Sequence, residues 1–262
     1  MFDYQNHSTF SDGDGTIIEI CQAADERKLR EICITDHIIL LKGWPYNIKN
    51  IDAYFRAIEE AQANVKVKVR IGAEIDYFED KERQIEEILN DYAFDYILGS
   101  THFLGPENLE LNHCAIYKNK SQIETYRIYF AKWEKAVSSQ LFDAMAHPDY
   151  VRRWAVPFYG SELEFSKYKE LVENTCHFIA DNDLGIDVNC SGFRHNLKST
   201  YPSKDFLELC KKIGVKNFVP SSDSHTPPDV GSNLEKGMEI LKRVGIDEIT
   251  TFGKRKPTYH YI

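Results

Sequence analysis

Val65, Val67, Val69 and Ile71 alternate with Lys66, Lys68 and Arg70. A period of two predicts a strand over 65–71 with one face exposed at its start. Ile17, Ile20, Cys21 and Ala24 instead fall on one face of a helix predicted over 17–30. Thr16 and Glu19 form a capping-box pattern at its first turn. Short apolar runs predict further strands over 31–35, 96–98, 142–146, 185–189 and 217–220, and a short last one over 248–252. Helical spacing predicts helices over 51–64, 81–90, 121–138, 168–182, 203–213 and 233–244. Ser203 opens one of these and Gly214 closes it. Tyr126, Tyr129, Phe130 and Trp133 share a helical face and read as core packing, and 104–118 reads as a loop.

Strand-helix alternation along the whole chain predicts an α/β fold with a mostly parallel sheet of about seven units. A length of 262 residues suits one barrel of roughly 250 residues. With no internal repeat, low-complexity tract or linker, residues 1–262 read as a single domain.

Several of these strands run into histidines and carboxylates. In chain order these are His7, Asp12, His37, Glu74, His102, His147, Asp223 and His225, each at or just beyond a predicted strand end. In a barrel, the C-terminal ends of the strands form the face where chemistry sits. Histidine nitrogens with carboxylate oxygens suit Zn, Mn or Fe better than Mg or Ca. A carboxylate can also bridge two ions ~3.5–4 Å apart, and Glu74, an isolated strand-end acid, is the candidate for that role. Each residue has a plainer reading alone: Asp12 as a turn residue, His147 as a loop cap before Pro148, Asp223 and His225 as a hydrogen-bonded pair. Eight such positions together favour a metal centre. Phosphate-binding glycine loops and a GxSxG nucleophile elbow are absent.

A net charge of −9 argues against nucleic acid as the partner but leaves room for a small phosphorylated substrate. Cys21, Cys33, Cys114, Cys176, Cys190 and Cys210 form no CxxC pair and read as reduced thiols of a cytoplasmic protein. The N-terminus shows no leader pattern, and no apolar run nears the ~20 residues that span a bilayer. The sequence is silent on oligomeric state.

The segments Asp3–Ser8, Phe10–Gly13, Ile34–His37, Gly72–Glu74, Leu98–Leu104, Ala146–Asp149 and Ser222–His225 resemble the polymerase-and-histidinol-phosphatase (PHP) superfamily. Gly99-Ser100-Thr101-His102-Phe103-Leu104 and Asn189-Cys190-Ser191-Gly192-Phe193-Arg194 are closest to its histidinol-phosphatase branch. The resemblance implies a distorted (β/α)7 barrel with two or three divalent metal ions. It places one ion on His7, Glu74 and Asp223, a second on Glu74, His102 and His147, and a third on Asp12, His37 and His225. Its first motif is His-x-His; here Gln5 stands at the first histidine. The Gln5 amide oxygen would be a weak neutral ligand, or the side chain would hydrogen-bond a ligand or water.

The implied reaction is hydrolysis of a phosphomonoester, L-histidinol phosphate, by in-line attack of a metal-bridging hydroxide. The resemblance assigns phosphate contact to Arg194 and Arg152, with Arg153 as a substitute for Arg152. His225 or a metal-bound water would protonate the leaving group. The loop 107–113 and the Asp149 region would offer carboxylates to the substrate amine. Alternatives are a PHP-type phosphoesterase acting on nucleotides or another small phosphate ester, and a metal-binding protein without catalysis.

Overall fold

The computed structural model describes residues 1–105, 107–109, 115–195 and 197–262. Seven parallel strands stand side by side in chain order: Phe2–Asp3, Glu31–Ile34, Lys68–Asp76, Tyr96–Ser100, Ala144–Met145, Gly185–Asn189 and Asn217–Ser221. The last returns to the first. The Tyr4 amide donates to the Pro220 carbonyl at 2.9 Å, and Asn6 pairs with Ser224 just beyond the ladders. The result is the nearly closed, distorted (β/α)7 barrel that the resemblance implies, built from the seven parallel units that the alternation predicts. Its distortion comes from unequal strands. Phe2–Asp3 and Ala144–Met145 have two residues each, whereas Lys68–Asp76 has nine and also pairs with His37–Ile38.

The strand predicted over 65–71 is displaced. Asp25 accepts the amides of Lys66 and Val67 and holds that stretch outside the ladder. Pairing starts at Lys68 and continues to Asp76, so Glu74 lies within the strand rather than after it. The Thr16–Glu19 capping box is formed, as is a second between Ser121 and Glu124. Gly214, at φ +106°, closes the Lys204–Ile213 helix from the left-handed region that glycine enters without strain. The stripe from Tyr126 to Trp133 is buried in the core of Gln122–Ser138.

Three stretches differ from the sequence expectation. Residues 168–182 are not one helix; 3₁₀ turns at Phe165–Lys167 and Lys169–Leu171 precede an α-helix over Glu173–Asp181. Phe165, Tyr168 and Leu171 recur every three residues, the 3₁₀ period, and all pack on the core. The stretch 104–118 contains a small hairpin, Phe103–Leu104 with Glu107–Asn108, turning through Gly105 at φ +64°. It also contains a short helix over Ala115–Asn119. Finally, the strand Glu248–Gly253 has an antiparallel partner, Lys256–Tyr261.

That hairpin closes one end of the barrel. Its Phe252 amide donates to the Tyr4 hydroxyl at 3.0 Å, and the Phe252 ring stacks on Tyr96. The N-terminal ends of the strands are thereby covered, and the loops at their C-terminal ends surround the open cavity. No helix among the described residues is long and apolar enough to cross a membrane. Cys21, Cys33, Cys176, Cys190 and Cys210 are buried free thiols, and Cys114 lies outside the described residues.

Candidate metal centre

Beyond Phe2–Asp3 the chain is held by the segment that follows the last strand, its neighbour where the ring closes. The His7 amide donates to the Ser224 carbonyl at 2.8 Å. The loop carrying Asp12 folds back onto this segment. A Cβ on Gly13 would sit 2.4 Å from the His7 carbonyl oxygen, so only glycine permits the approach. Asp36, at the next strand end, accepts the Ser8 amide and hydroxyl and the Ser11 hydroxyl, which ties the Asp12 loop down. His147 and Asp223 sit at φ +27° and +53°, conformations uncommon for residues with side chains. Asp187 steadies His147 by accepting its amide at 3.0 Å.

The structure gathers all eight strand-end residues at this face. Glu74 Oε1 lies 3.2 Å from His147 Nε2 and 3.5 Å from His102 Nε2, and those two nitrogens are 3.1 Å apart. The other Glu74 oxygen, Oε2, lies 3.3 Å from His7 Nε2, which is 3.4 Å from Asp223 Oδ1. Asp12 Oδ2 lies 3.5 Å from His37 Nε2 and 3.3 Å from His225 Nε2. Ligands bound at ~2.0–2.2 Å with tetrahedral angles would themselves be about 3.3–3.6 Å apart. Ligating atoms in these groups stand at about that separation. The sets Glu74–His102–His147 and His7–Asp12–His37–His225 are compact enough for an ion.

The donor chemistry also fits divalent transition ions. Both ring nitrogens of His7 and of His37, and Nδ1 of His147, have no hydrogen-bond partner among the described residues. Leaving a buried polar atom unpaired costs roughly 1–3 kcal/mol, so the fold accepts a cost that a bound cation would remove. His102 is prepared differently. Burial works against the charge on Asp76, but His102 holds its carboxyl below the usual range. The ionised carboxylate accepts His102 Nδ1–H at 3.0 Å, which leaves the Nε2 lone pair facing Glu74 and His147.

Without a cation the cluster is an array of imidazoles and carboxylates. Burial opposes charge on His37, but Asp12 and Glu74 outweigh it and raise its imidazole to about 10. His7 is likewise raised, against burial, by Asp223 and Glu74. Glu74 is held well below the carboxylate range, because His37, His147 and His7 overcome its desolvation.

Beside the cluster lies a cavity of about 500 Å³, bounded by Trp44, Tyr46 and Tyr150 and by the side chains of Asp14, Asp229, Arg153, Arg194 and His195. The arginines divide unexpectedly. Arg152 does not reach the cavity. It is buried, donates to Asp149 and to the Thr200 carbonyl, and pairs with Glu162 at 2.7 Å. Asp149 is itself fully buried and its charge needs a partner, so Arg152 is a structural cation. Arg153 faces the cavity. Its guanidinium lies over Tyr150 and Trp154 and touches the Tyr150 hydroxyl, with no carboxylate within 4 Å among the described residues.

Arg194 also lines the cavity, but several of its donors are engaged. Nη1 donates to Ser232, and Nη2 to the carbonyls of Ser222 and Asp223, which fixes the loop carrying Asp223. Asp149 and Glu107 do not line the cavity, and Glu107 accepts the Ala115 amide. The carboxylates beside the cluster that do are Asp14 and Asp229, and residues 110–113 lie outside the described set.

His195 was missed by the sequence reading, although it directly follows Arg194. Tyr201 is fully buried and burial keeps its phenol protonated, so its O–H needs an acceptor; His195 Nδ1 lies 3.3 Å away. Nδ1 therefore accepts and Nε2 carries the hydrogen. Burial and the Arg153 guanidinium push the His195 imidazole down to about 3.

The PHP domain family model matches residues 3–191. A probable histidinol-phosphatase of Clostridium acetobutylicum is 29% identical to this chain over 99% of each sequence. A probable histidinol-phosphatase of Deinococcus radiodurans is 29% identical over 92% of each. Among solved structures, the histidinol phosphate phosphatase of Lactococcus lactis, complexed with zinc, L-histidinol and phosphate, superposes with a TM-score of 0.88. It is 24% identical and covers 98% of both chains, a likeness of fold.

Proposed function

Because the chain belongs to the PHP domain family, matched over residues 3–191, we propose that residues 1–262 form one metal-dependent phosphatase unit. Its substrate is a small phosphomonoester, L-histidinol phosphate, hydrolysed to L-histidinol and phosphate. One observation carries this reading: the two Glu74 oxygens face two separate imidazole groups, beside a cavity lined by the Arg153 guanidinium, which has no carboxylate within 4 Å among the described residues. His7, Glu74 and Asp223 would hold one divalent ion, Glu74, His102 and His147 a second, and Asp12, His37 and His225 a third. Zn, Mn or Fe suits these donors. Such ions supply positive charge to the phosphoryl oxygens and lower the pKa of water.

The remaining work falls to the protein's own groups. Arg153 meets the equatorial phosphate oxygens, whose charge must be stabilised in phosphoryl transfer. Arg194 holds the Asp223 loop and turns its remaining donors to the phosphate. His195 presents a neutral Nε2–H to a phosphate or leaving-group oxygen. Asp14 and Asp229 favour a cationic amine, and Trp44 and Tyr46 offer faces for a flat ring. A cavity of about 500 Å³ and a net charge of −9 favour a small ester over nucleic acid. Free thiols in every described cysteine suit a cytoplasmic setting.

The test is turnover of L-histidinol phosphate against a panel of nucleoside monophosphates with the metal-loaded protein. Preference for the histidinol ester is expected; equal or faster turnover of a nucleotide would replace this substrate with the broader phosphoesterase reading.

A further inference from the structure

We infer that Gln5 makes the ion position bounded by His7, Glu74 and Asp223 the weakest of the three; this rests on the metal-centre reading above. The orientation of the Gln5 amide is set by a chain of hydrogen bonds that begins at a backbone donor. The Ser191 amide can only donate, and it lies 2.9 Å from Asn189 Oδ1. The Ser191 hydroxyl donates to the same oxygen at 2.6 Å. Asn189 Nδ2 is therefore on the opposite side, where it meets Asp187 Oδ2 at 3.1 Å and Asp223 Oδ2 at 3.2 Å. It also meets Gln5 Oε1 at 2.9 Å. Gln5 must then turn its nitrogen to Glu74 Oε2, 2.6 Å away.

A flipped Gln5 would set an amide nitrogen against the Asn189 nitrogen and an oxygen against the Glu74 carboxylate. Both contacts repel, so the observed orientation is locked. An N–H₂ group has no lone pair to offer a cation. Gln5 instead occupies space beside the position and draws on the Glu74 oxygen that faces His7. What remains there is one imidazole and two carboxylate oxygens. Each of the other positions has two imidazoles, the stronger donors for zinc.

The experiment uses the full chain with zinc alone. Protein loaded with excess zinc is exchanged into metal-free buffer and its zinc counted by mass spectrometry, with folding followed by circular dichroism. Wild type is expected to keep two ions per chain and Gln5→His three, the third binding wild type at least about tenfold more weakly than the other two. Three ions retained by wild type, or a third lost equally from Gln5→His, would overturn the inference. Should Gln5→His fail to fold, Asp223→Asn decides. Asp223 bounds the weak position and belongs to neither of the two compact sets described above, so two ions should remain, and loss of either overturns the inference. Retention of no zinc by wild type would instead sink the metal-centre reading itself.

Discussion

Asp76 grips His102 twice, its Oδ2 accepting the ring Nδ1–H at 3.0 Å and its Oδ1 the backbone amide at 2.9 Å. Both contacts need an acceptor, and an asparagine has only one acceptor oxygen. Asp76→Asn should therefore release either the ring or the backbone of His102. Zinc affinity at the Glu74–His102–His147 position is expected to fall about 10–100-fold, with the fold retained. Competition with a chromogenic chelator measures the first and circular dichroism the second; unchanged affinity would show that Asp76 does not orient the ring.

The adjacent arginines should separate cleanly. Arg152→Ala leaves Asp149 buried without its cation and is expected to cost about 3–5 kcal/mol in denaturant unfolding. Arg153→Ala should leave unfolding unchanged but lower kcat/KM for the phosphate ester about 100-fold. The opposite pattern would return the phosphate-binding role to Arg152.

Tyr201 and His195 form a second pair with a kinetic signature. Removing the phenol O–H in Tyr201→Phe frees the His195 tautomer without emptying the cavity. A drop in kcat/KM of about tenfold is expected, with zinc content as in wild type, and His195→Phe should lose at least as much. Wild-type rates in both variants would remove His195 from the reaction.

The raised imidazoles give a pH dependence with a definite sign. The His37 value rises from 6.5 unfolded to about 10 folded, and His7 moves in the same direction. Their contribution to the metal-free protein is full below pH 6.5 and is lost as pH climbs through 10. The melting temperature of chelator-treated protein should therefore fall across that window. Zinc must displace these protons, so calorimetry in buffers of different ionisation enthalpy should report proton release near pH 7. Heats independent of the buffer would contradict this.

Much of this was legible in the chain. Alternation of short strands with amphipathic helices announces the α/β fold and its parallel strands, because backbone periodicity is a local property. The same alternation brings His7, Asp12, His37, Glu74, His102, His147, Asp223 and His225 to one rim. Capping residues such as Thr16 act within a single turn and can also be read locally. The displaced strand at 65–71 was not legible, because Asp25, some forty residues earlier in the chain, captures those amides. The division of labour between Arg152 and Arg153 depends on the distant Glu162 and Thr200. The closing partner strand Lys256–Tyr261 is mostly exposed and lacks an apolar run to mark it. The Gln5 orientation depends on Asn189, which closure of the barrel brings against it. Sequence determined which side chains reach the rim, since that follows from periods of two and 3.6 residues. Tertiary structure decided which atoms face one another there, because hydrogen-bond partners and charges act through space between segments that no local pattern connects.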